Sequence, residues 1–429
     1  MPLAAVLFGV MLTAGAQDIV IESSNRLDMR TPVAVPVFAT EDLSLGPVAK
    51  EMAEVVAWDL DFSGLFRLLS REQYPPGFSA LPLDVRQLDF NGWRATKAEH
   101  LAYGKVAKEG DTYVCEFRLI DLFSGDQVFG KELRVTLDHP RLAAHKFSEE
   151  IIRSIEGVPG IGTTEICYSA GATGSKEIWV ADYDGANARQ LTHHGSISIK
   201  PKVSPDGNMI AYLSYKERYC YLYVFDRRTG VSTALSKEPG LNSAPSWSPD
   251  GKTIAMTLSK DGNTEIYLKN PDGSNPRRLT RNRYGDTSPV FSPDGGRIAF
   301  VSEQGGAPQI YVMDTSGGNV RRLSYQGGSS YDPAWSPDGK FIAYVAEKRG
   351  EGLQIYVMNA DGSNPRRLTP PRGNSESPTW SPDSRHIMCT STMSGQKRLW
   401  TLNAVTAEAR PVSRLDMRCE GPSWGPRRD

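Results

Sequence analysis

The chain has 429 residues, more than one hydrophobic core ordinarily holds, so several domains or a repeat array are expected. Its residues are 39% hydrophobic and 23% charged, which is typical of a folded globular protein and excludes wholesale disorder. Lys and Arg (49) nearly balance Asp and Glu (50), and this formal net charge of −1 gives nucleic-acid binding no electrostatic basis.

The N-terminus has the pattern of an export signal. An apolar run over residues 3–13 is followed by Ala14-Gly15-Ala16, a small-x-small cleavage motif. Residues 1–16 are therefore predicted to be a signal peptide, with a mature chain that starts at Gln17. The run is shorter than the roughly 20 apolar residues that a membrane helix needs, so no membrane insertion is predicted. A frayed apolar tail is the alternative interpretation.

A short arm and a small α/β domain are predicted next. Residues 17–30 precede the first strand-like segment and are interpreted as an extended arm. Residues 31–157 are predicted to form the α/β domain, followed by a linker at 158–164. The predicted strands are 31–38, 65–69, 102–107, 112–121 and 127–136, and the predicted helices are 48–60, a short one around 95–100, and 141–156.

A repeat of about 44 residues organises the segment 165–429. Ser-Pro-Asp-Gly recurs at 204–207, 248–251, 292–295 and 336–339, and Ser-Pro-Asp-Ser follows at 381–384. Five of these motifs come directly after an aromatic residue or Val203, and a Pro lies two residues before that position each time. The sixth copy has Trp424 but continues with the divergent Gly425-Pro426-Arg427-Arg428.

Each repeat predicts four short strands. In the best-formed copy the strands are 333–335, 341–345, 354–359 and 366–369, and Ser-Pro-Asp-Gly makes the first turn. Four strands in about 44 residues are typical of a propeller blade, so six copies predict a six-bladed β-propeller. The first unit begins on its return strand at Glu165-Ile166, whereas the last supplies only Pro422-Ser423-Trp424. We therefore expect these two segments to pair and close the ring.

The search for catalytic and metal motifs favours structural interpretations. Gly421-Pro422-Ser423-Trp424-Gly425 matches the nucleophile elbow of hydrolases in letters, but it aligns with a blade strand. Segments 182–187, 270–275 and 359–364 resemble calcium loops yet lack the closing Glu, so they are predicted to be hairpin turns. His193-His194 has no third ligand at a recognisable spacing. The five widely spaced cysteines carry no redox motif, although one pair could oxidise after export.

In its order of features the sequence resembles the TolB family of the Tol-Pal cell-envelope system. The resemblance rests on the signal peptide, the arm segment Asp18-Ile19-Val20-Ile21-Glu22, the strand Val33–Phe38 and six blades with Pro-x-Trp-Ser-Pro-Asp-Gly. It implies a non-enzymatic periplasmic adaptor that supports outer-membrane integrity and constriction at cell division. It further implies that the arm binds the inner-membrane protein TolA and that one propeller mouth binds the lipoprotein Pal. We expect a monomer without a cofactor or metal.

The predicted Pal site consists of the residues that lead into the innermost strand of each blade. If the Pro-x-Trp strand is innermost, these residues form the rim of one mouth of the axial channel. The rim residues are Asn242, Ser243, Ala244, Asp286, Thr287, Ser288, Tyr331, Asp332, Ser375 and Glu376, with Ser377, Lys200 and Glu420 beside them. The predicted TolA site is Asp18, Ile19, Val20, Ile21 and Glu22. The alternatives are that the rim is merely solvated loops and that the arm packs on its own protein.

A second class of function stays open at this point. Propellers also carry hydrolase and lyase activities, so a periplasmic enzyme acting on envelope peptide or sugar is the alternative. The propeller has only three histidines, His193, His194 and His386, and none is predicted on the rim. A general acid–base site is therefore hard to assemble there.

Overall fold

The computed structural model describes residues 30–428, except residue 173, residues 326–327, residues 413–414 and residue 416. The predicted signal peptide and the predicted TolA-binding arm lie outside the described residues. A small α/β domain is followed by six four-stranded sheets, so the predicted fold class is confirmed. Within the described part of the chain, none of the helices is long and apolar enough to cross a membrane.

The α/β domain is a five-stranded sheet with two long helices on one face and a short helix on the other. The sheet order is β2-β1-β3-β4-β5; β1 is parallel to β2 and β3, and the other neighbours are antiparallel. The strands are β1 (Thr31–Ala34), β2 (Phe66–Leu68), β3 (His100–Glu109), β4 (Thr112–Asp121) and β5 (Gln127–Thr136). The helices are α1 (Gly46–Ser63), α2 (Phe90–Ala95) and α3 (Pro140–Glu156), with 3-10 turns at Leu43–Leu45, Arg71–Gln73 and Val85–Gln87.

Helices α1 and α3 pack together over the sheet. Both have a Pro in their first turn and end at a left-handed glycine, Gly64 (φ 70°) and Gly157 (φ 68°). Between the helices and the sheet, the rings of Phe117 and Phe147 stack with centroids 4.4 Å apart, and Leu60 is fully buried. This packing fixes the face of α1 and α3 that meets the propeller.

Two predicted elements of this domain were misplaced. The helix expected around residues 95–100 ends at Ala95, because Lys97 takes a left-handed φ of 62°, and His100 already begins β3. The strand expected over 31–38 ends at Ala34, just before Pro36, which has no N–H for the ladder. The hairpin of β4 and β5 has the predicted bounds.

The propeller has six antiparallel four-stranded sheets, and each innermost strand except β29 is followed by the first turn of its repeat. The sheet that closes the ring contains β29 (Cys419–Arg427), β6 (Thr164–Ala172), β7 (Ser175–Asp182) and β8 (Arg189–Gln190). The second contains β9 (Ser198–Val203), β10 (Met209–Glu217), β11 (Tyr219–Asp226) and β12 (Val231–Ser236). The third contains β13 (Asn242–Trp247), β14 (Ile254–Leu258), β15 (Glu265–Lys269) and β16 (Arg277–Arg278).

The other three sheets repeat the same order. The fourth contains β17 (Asp286–Phe291), β18 (Arg297–Ser302), β19 (Gln309–Asp314) and β20 (Arg321–Arg322). The fifth contains β21 (Ser329–Trp335), β22 (Phe341–Lys348), β23 (Gly352–Asn359) and β24 (Arg366–Arg367). The sixth contains β25 (Ser375–Trp380), β26 (His386–Ser391), β27 (Arg398–Asn403) and β28 (Ala409–Pro411).

The predicted closure of the ring is confirmed. Strand β29 pairs with β6, with Trp424 opposite Ile166. The Trp424 side chain is 8% exposed, and its indole N–H donates to Thr164 Oγ1 at 2.8 Å. The strand β29 therefore becomes the innermost strand of the sheet that contains β6, and the array has no free end at this point.

A buried polar cluster, which we call the domain junction, connects the two domains. Asp59 of α1 accepts hydrogen bonds from His145 Nδ1 (2.8 Å) and Ser148 Oγ of α3, and from the Tyr183 hydroxyl (2.6 Å) of the propeller. All four residues are at most 4% exposed. Since a buried carboxylate is costly unless it is bonded, the propeller supplies one of the contacts on which the α/β domain depends.

Further contacts surround the domain junction. Arg141 pairs with Asp184, and Arg410 Nη1 lies 2.6 Å from Asp61 Oδ2. The Phe62 ring stacks on His386, with centroids 4.4 Å apart. These ionic and aromatic contacts, together with the hydrogen bonds of Asp59, therefore hold the α/β domain against one end of the ring.

Candidate functional site: the mouth of the propeller channel

The axial channel is lined by the innermost strands of all six sheets, namely β29, β9, β13, β17, β21 and β25. It encloses about 490 Å³. Two rings of six prolines line it, one near each end: Pro201, Pro245, Pro289, Pro333, Pro378 and Pro422, then Pro205, Pro249, Pro293, Pro337, Pro382 and Pro426. Proline fits here because the inner edge of each sheet has no further strand that needs its N–H.

A bulge with a left-handed residue recurs at one mouth of the channel. In each innermost strand the pairing register shifts at the residue before the first Pro. These residues have positive φ: Lys200 (53°), Ala244 (51°), Ser288 (52°), Asp332 (46°), Ser377 (55°) and Gly421 (60°). Five of the six are not glycine, and such strain persists only where the surrounding structure imposes it. The mouth is thus a rigid ring of six equivalent backbone kinks.

Neighbouring sheets are joined behind the channel wall. The Trp247 indole N–H donates to the Lys202 carbonyl of the preceding sheet at 2.9 Å. The Trp380 indole makes the equivalent bond to the Ala334 carbonyl at 3.0 Å. These two tryptophans therefore join the third sheet to the second and the sixth sheet to the fifth, which helps to hold the mouth in shape.

The structure divides the ten predicted rim residues into three groups. Ala244, Ser288 and Asp332 line the channel. Ser243, Thr287, Tyr331 and Glu376 are half-buried beside the mouth. Asn242, Asp286 and Ser375 are at most 1% exposed.

The buried group holds the loops that lead into the innermost strands. The Asn242 amide donates to the Glu238 carbonyl at 2.7 Å, and Ser375 Oγ lies 2.9 Å from Ser391 Oγ. Asp286 Oδ2 accepts from Asn282 at 2.7 Å, and burial raises the pKa of the Asp286 carboxyl. These three side chains position the rim rather than face the channel.

Sequence reasoning did not select Lys202, which also lines the channel. The sequence could have indicated Lys202, because residues two apart on a strand point to the same face of the sheet. Lys202 lies two residues after Lys200 on the innermost strand β9. Burial lowers the pKa of the Lys202 ammonium; Lys200 adds to that effect and Asp332 opposes it. The channel wall therefore carries both signs of charge.

At the rim, Glu420 is held by two lysines, Lys176 on β7 of its own sheet and Lys397 just before β27 of the sixth sheet. Lys176 forms an ion pair with Glu420 Oε1, and Lys397 Nζ lies 3.1 Å from Oε2. Burial by itself would raise the pKa of Glu420, but the two lysines lower it below its ordinary value. This side chain is thus a fixed anion where the first and sixth sheets meet.

The channel does not gather a recognisable set of catalytic groups. Among the described residues that line it, the titratable ones are Lys200, Lys202 and Asp332. His386 is buried at the domain junction. Ser423, from the motif that matched a nucleophile elbow, is 5% exposed in β29 and accepts a hydrogen bond from the Val203 N–H.

Among the described residues, the histidines and cysteines are also not arranged for metal binding or disulfide chemistry. His194 Nε2 bonds to the Tyr212 hydroxyl at 2.9 Å, and His193 Nδ1 to Gln190 at 2.9 Å. The described residues hold no cluster of three or more His, Cys, Asp or Glu side chains that could bind a metal ion. All five cysteines are described, and all are free thiols.

Family comparison covers both domains. Residues 152–428 match the model of the TolB beta propeller domain, and residues 18–128 match that of the TolB amino-terminal domain. The Tol-Pal system protein TolB of Methylobacillus flagellatus is 34% identical over 238 residues, 55% of this chain and 54% of the relative. That of Roseobacter denitrificans is 36% identical over 218 residues, 49% and 48% of the two chains. The chain spans about half the length of the curated relatives it matches.

Solved structures extend the likeness to nearly the whole chain. The crystal structure of TolB from Acinetobacter baumannii aligns with a TM-score of 0.80 and 26% identity, covering 92% of this chain and 97% of that one. A putative TolB from Agrobacterium tumefaciens aligns with a TM-score of 0.50 over 61% of this chain at 21% identity, which shows the fold alone.

Proposed function

Since the chain belongs to the TolB family of the Tol-Pal cell-envelope system, we propose that it is a non-enzymatic periplasmic adaptor. It holds a Pal-like outer-membrane lipoprotein at the channel mouth and a TolA-like inner-membrane protein by its N-terminal arm. In this role it supports outer-membrane integrity and constriction at cell division. It works as a monomer, with each partner on its own surface.

The observation that carries this proposal is the ring of six left-handed kinks at the channel mouth. Each kink is part of a bulge, and tryptophan bonds join two pairs of neighbouring sheets, so the mouth offers a preformed surface. A preformed surface loses little conformational entropy when a partner binds. Ala244 and Ser288 are small, which lets a partner segment approach the backbone closely, while Lys200 and Asp332 give it charges of both signs.

In this proposal the buried rim residues support Pal binding indirectly. Asn242, Asp286 and Ser375 hold the loops, whereas Ser243, Thr287, Tyr331 and Glu376 are accessible enough to contact Pal. A partner bound here lies against the end of the ring opposite the α/β domain. We propose that the arm, which precedes that domain in sequence and lies outside the described residues, binds TolA separately from the Pal site.

The test is to place a long charged side chain at the mouth. Ala244→Arg and Thr287→Arg should each weaken the binding of purified Pal by at least about tenfold, the effect of losing about 1.4 kcal/mol of contact. Ser316→Arg is the matched control, because Ser316 is exposed in a turn at the other end of the ring. Affinity is measured by calorimetry and fold by melting temperature.

Two outcomes would count against the proposed site. One is equal Pal affinity in the mouth variants and the Ser316→Arg control. The other is a large fall in melting temperature in the mouth variants, which would show that the substitutions act through the fold. Leu323→Arg gives the scale of such a fall, since Leu323 is 1% exposed in the core between the fourth and fifth sheets.

A further inference from the structure

A second cavity lies at the opposite end of the propeller from the Pal mouth. It encloses about 440 Å³ between the first and second sheets. Its floor is apolar and is made by Cys167, Val180, Val203 and Ile210. Its walls carry five arginines, Arg189, Arg227, Arg228, Arg427 and Arg428.

Two arginine pairs reach this cavity from places where the repeat pattern is broken. Arg227-Arg228 occupies the turn between β11 and β12, where the third, fourth and fifth sheets have Pro271-Asp272, Thr315-Ser316 and Ala360-Asp361. Arg427-Arg428 occupies the position of Asp-Gly in the first turn of the other repeats. Arg427 ends β29 in the first sheet and Arg227-Arg228 belongs to the neighbouring second sheet, so both departures add positive charge to one cavity.

Three of the five arginines are held by the protein itself. Arg227 Nη2 lies 2.6 Å from Glu165 Oε2, and Arg428 Nη1 lies 2.8 Å from Glu165 Oε1. Arg427 Nε donates to the Gly160 carbonyl of the linker at 2.6 Å. One carboxylate therefore orients two guanidinium groups, and the third is fixed by the backbone.

The remaining two arginines are more loosely held at the opening. The Arg189 side chain is 56% exposed, and its nearest Glu165 oxygen is 3.9 Å away. The Arg228 side chain is 69% exposed and lies 3.5 Å from Asp226. The lining has five arginines and two carboxylates, Glu165 and Asp206. Two further carboxylates, Asp226 and Asp182, pair with Arg228 and Arg428 from outside the lining, so the arginines outnumber the carboxylates around them by five to four.

Arg189 differs from its counterparts in the other blades. Arg277 and Arg321 hold the same register position on their outermost strands. Their guanidinium groups donate to the carbonyls of Thr315 (3.0 Å) and Asp361 (3.2 Å) in the turn of the next blade. Arg189 belongs to the first sheet, and the equivalent turn of the second sheet contains Arg227 and Arg228. Three guanidinium groups therefore lie near this turn.

We propose that this arginine cavity is a binding site for a small polyanion, a molecule with two or more carboxylate or phosphate groups. Arg189 and Arg228 bind the anionic groups directly, because a guanidinium presents paired N–H donors that match both group types. Arg227, Arg427 and Arg428 supply the surrounding positive potential. The volume is in the range of known small-molecule sites. The site is independent of Pal and TolA binding.

Calorimetric titration of the full mature chain tests the proposal, with inorganic pyrophosphate and citrate as probes and acetate as the weakly charged comparison. At least one polyanion should bind at a single saturable site, and the stronger probe shows whether phosphate or carboxylate is preferred. Arg189→Gln and Arg228→Gln should each weaken binding about tenfold or more, as expected for loss of a charged hydrogen bond. Both side chains are exposed, so the fold is retained.

Arg277→Gln is the matched control, because it removes the same charge from the same strand position in another blade. It should leave the affinity of both probes within about twofold, since a distant exposed charge is screened by salt. Equal losses in Arg277→Gln and Arg189→Gln would overturn the site, since they would show general attraction to a charged surface. Failure of both probes to saturate at about 10 mM, where even a millimolar site is filled, would overturn it as well.

Discussion

The Tyr183 hydroxyl donates a hydrogen bond to Asp59 Oδ1 at 2.6 Å, across the boundary between the propeller and the α/β domain. Tyr183 is 1% exposed and Asp59 4% exposed, so water cannot readily replace this bond if the domains separate only slightly. Burial and the negative charge of Asp59 both raise the pKa of Tyr183 well above its ordinary value, so the phenol stays protonated and remains a donor.

The first prediction concerns this hydrogen bond. Tyr183→Phe should destabilise the protein by about 1–3 kcal/mol, because it leaves one oxygen of a buried carboxylate without its donor. Urea denaturation measures the change in the free energy of unfolding. Tyr331→Phe is the matched control, since the Tyr331 hydroxyl makes only a solvent-exposed contact of 3.3 Å to Glu347. Equal losses of unfolding free energy in the two variants would show that the bond from Tyr183 to Asp59 contributes no more than an exposed contact does.

The second prediction concerns pH and His145. Burial by itself would lower the pKa of His145, but Asp59, at 2.8 Å and with Asp184 nearby, raises it, while Arg141 opposes the rise. A raised pKa in the folded state means that protonated His145 stabilises the protein fully below its unfolded value of about 6.5. This contribution is lost as pH rises through the folded-state pKa.

Melting temperatures between about pH 6 and pH 8.5 check this prediction, since that interval begins near the unfolded pKa of histidine. The parent chain should lose more stability across it than His145→Gln does, because the variant has no imidazole to titrate. Each unit by which the pKa is raised corresponds to about 1.4 kcal/mol. Parallel profiles for the two proteins would contradict the assignment.

The third prediction concerns closure of the ring. Trp424→Ala should cost about 3–5 kcal/mol, because it empties a buried site and leaves Thr164 Oγ1 without the indole donor. Deleting residues 420–429 should lower the melting temperature further, since it removes all but the first residue of the strand that pairs with β6. Phe123→Ala is the comparison at an 89% exposed aromatic and should change stability by less than about 0.5 kcal/mol. A truncated chain that melts like the parent would rule out the closure contact.

The fourth prediction concerns the arm, which lies outside the described residues. Ile19, Val20 and Ile21 favour an extended strand that can add to the edge of another protein's sheet. Deleting residues 17–22 should abolish TolA binding in a pull-down and leave Pal affinity and melting temperature unchanged. Ile19→Pro should do nearly as much, since it removes one ladder donor. If the deletion lowers the melting temperature as a core substitution does, the arm is part of its own protein's fold.

The repeat made the propeller predictable from sequence because its signals are local. A Pro, an aromatic residue and Ser-Pro-Asp-Gly each act within one strand and one turn. The Pro recurs in all six copies, whereas the aromatic residue and the turn motif, once as Ser-Pro-Asp-Ser, each recur in five. The predicted pairing of Trp424 with the strand of Ile166 followed from counting strands. The residues that face the channel were harder to choose. A bulge at Ala244 and its equivalents shifts which side chains point inward, so Asn242 and Asp286 are buried instead.

The domain junction and the arginine cavity could not have been predicted in the same way. Asp59 and Tyr183 are separated by 124 residues, and their contact depends on how one domain is oriented on the other. The departure Gly425-Pro426-Arg427-Arg428 was visible in the sequence, but its meeting with Arg227-Arg228 required the closed ring. Local patterns specify strands and turns, whereas these sites depend on contacts between elements far apart in the chain.

The bond from Trp424 to Thr164 joins residues 260 positions apart, and this separation affects the order of folding. A chain that emerges N-terminus first exposes β6 long before β29 is available to cover it. During that interval the inner edge of β6 can pair with a strand of another chain, as unpaired edges do. The same final strand also brings Arg427 to the linker carbonyl of Gly160. Ring closure and the bond that holds the linker therefore both require the last strand of the chain, and these contacts between residues far apart in sequence are of the kind that forms slowly.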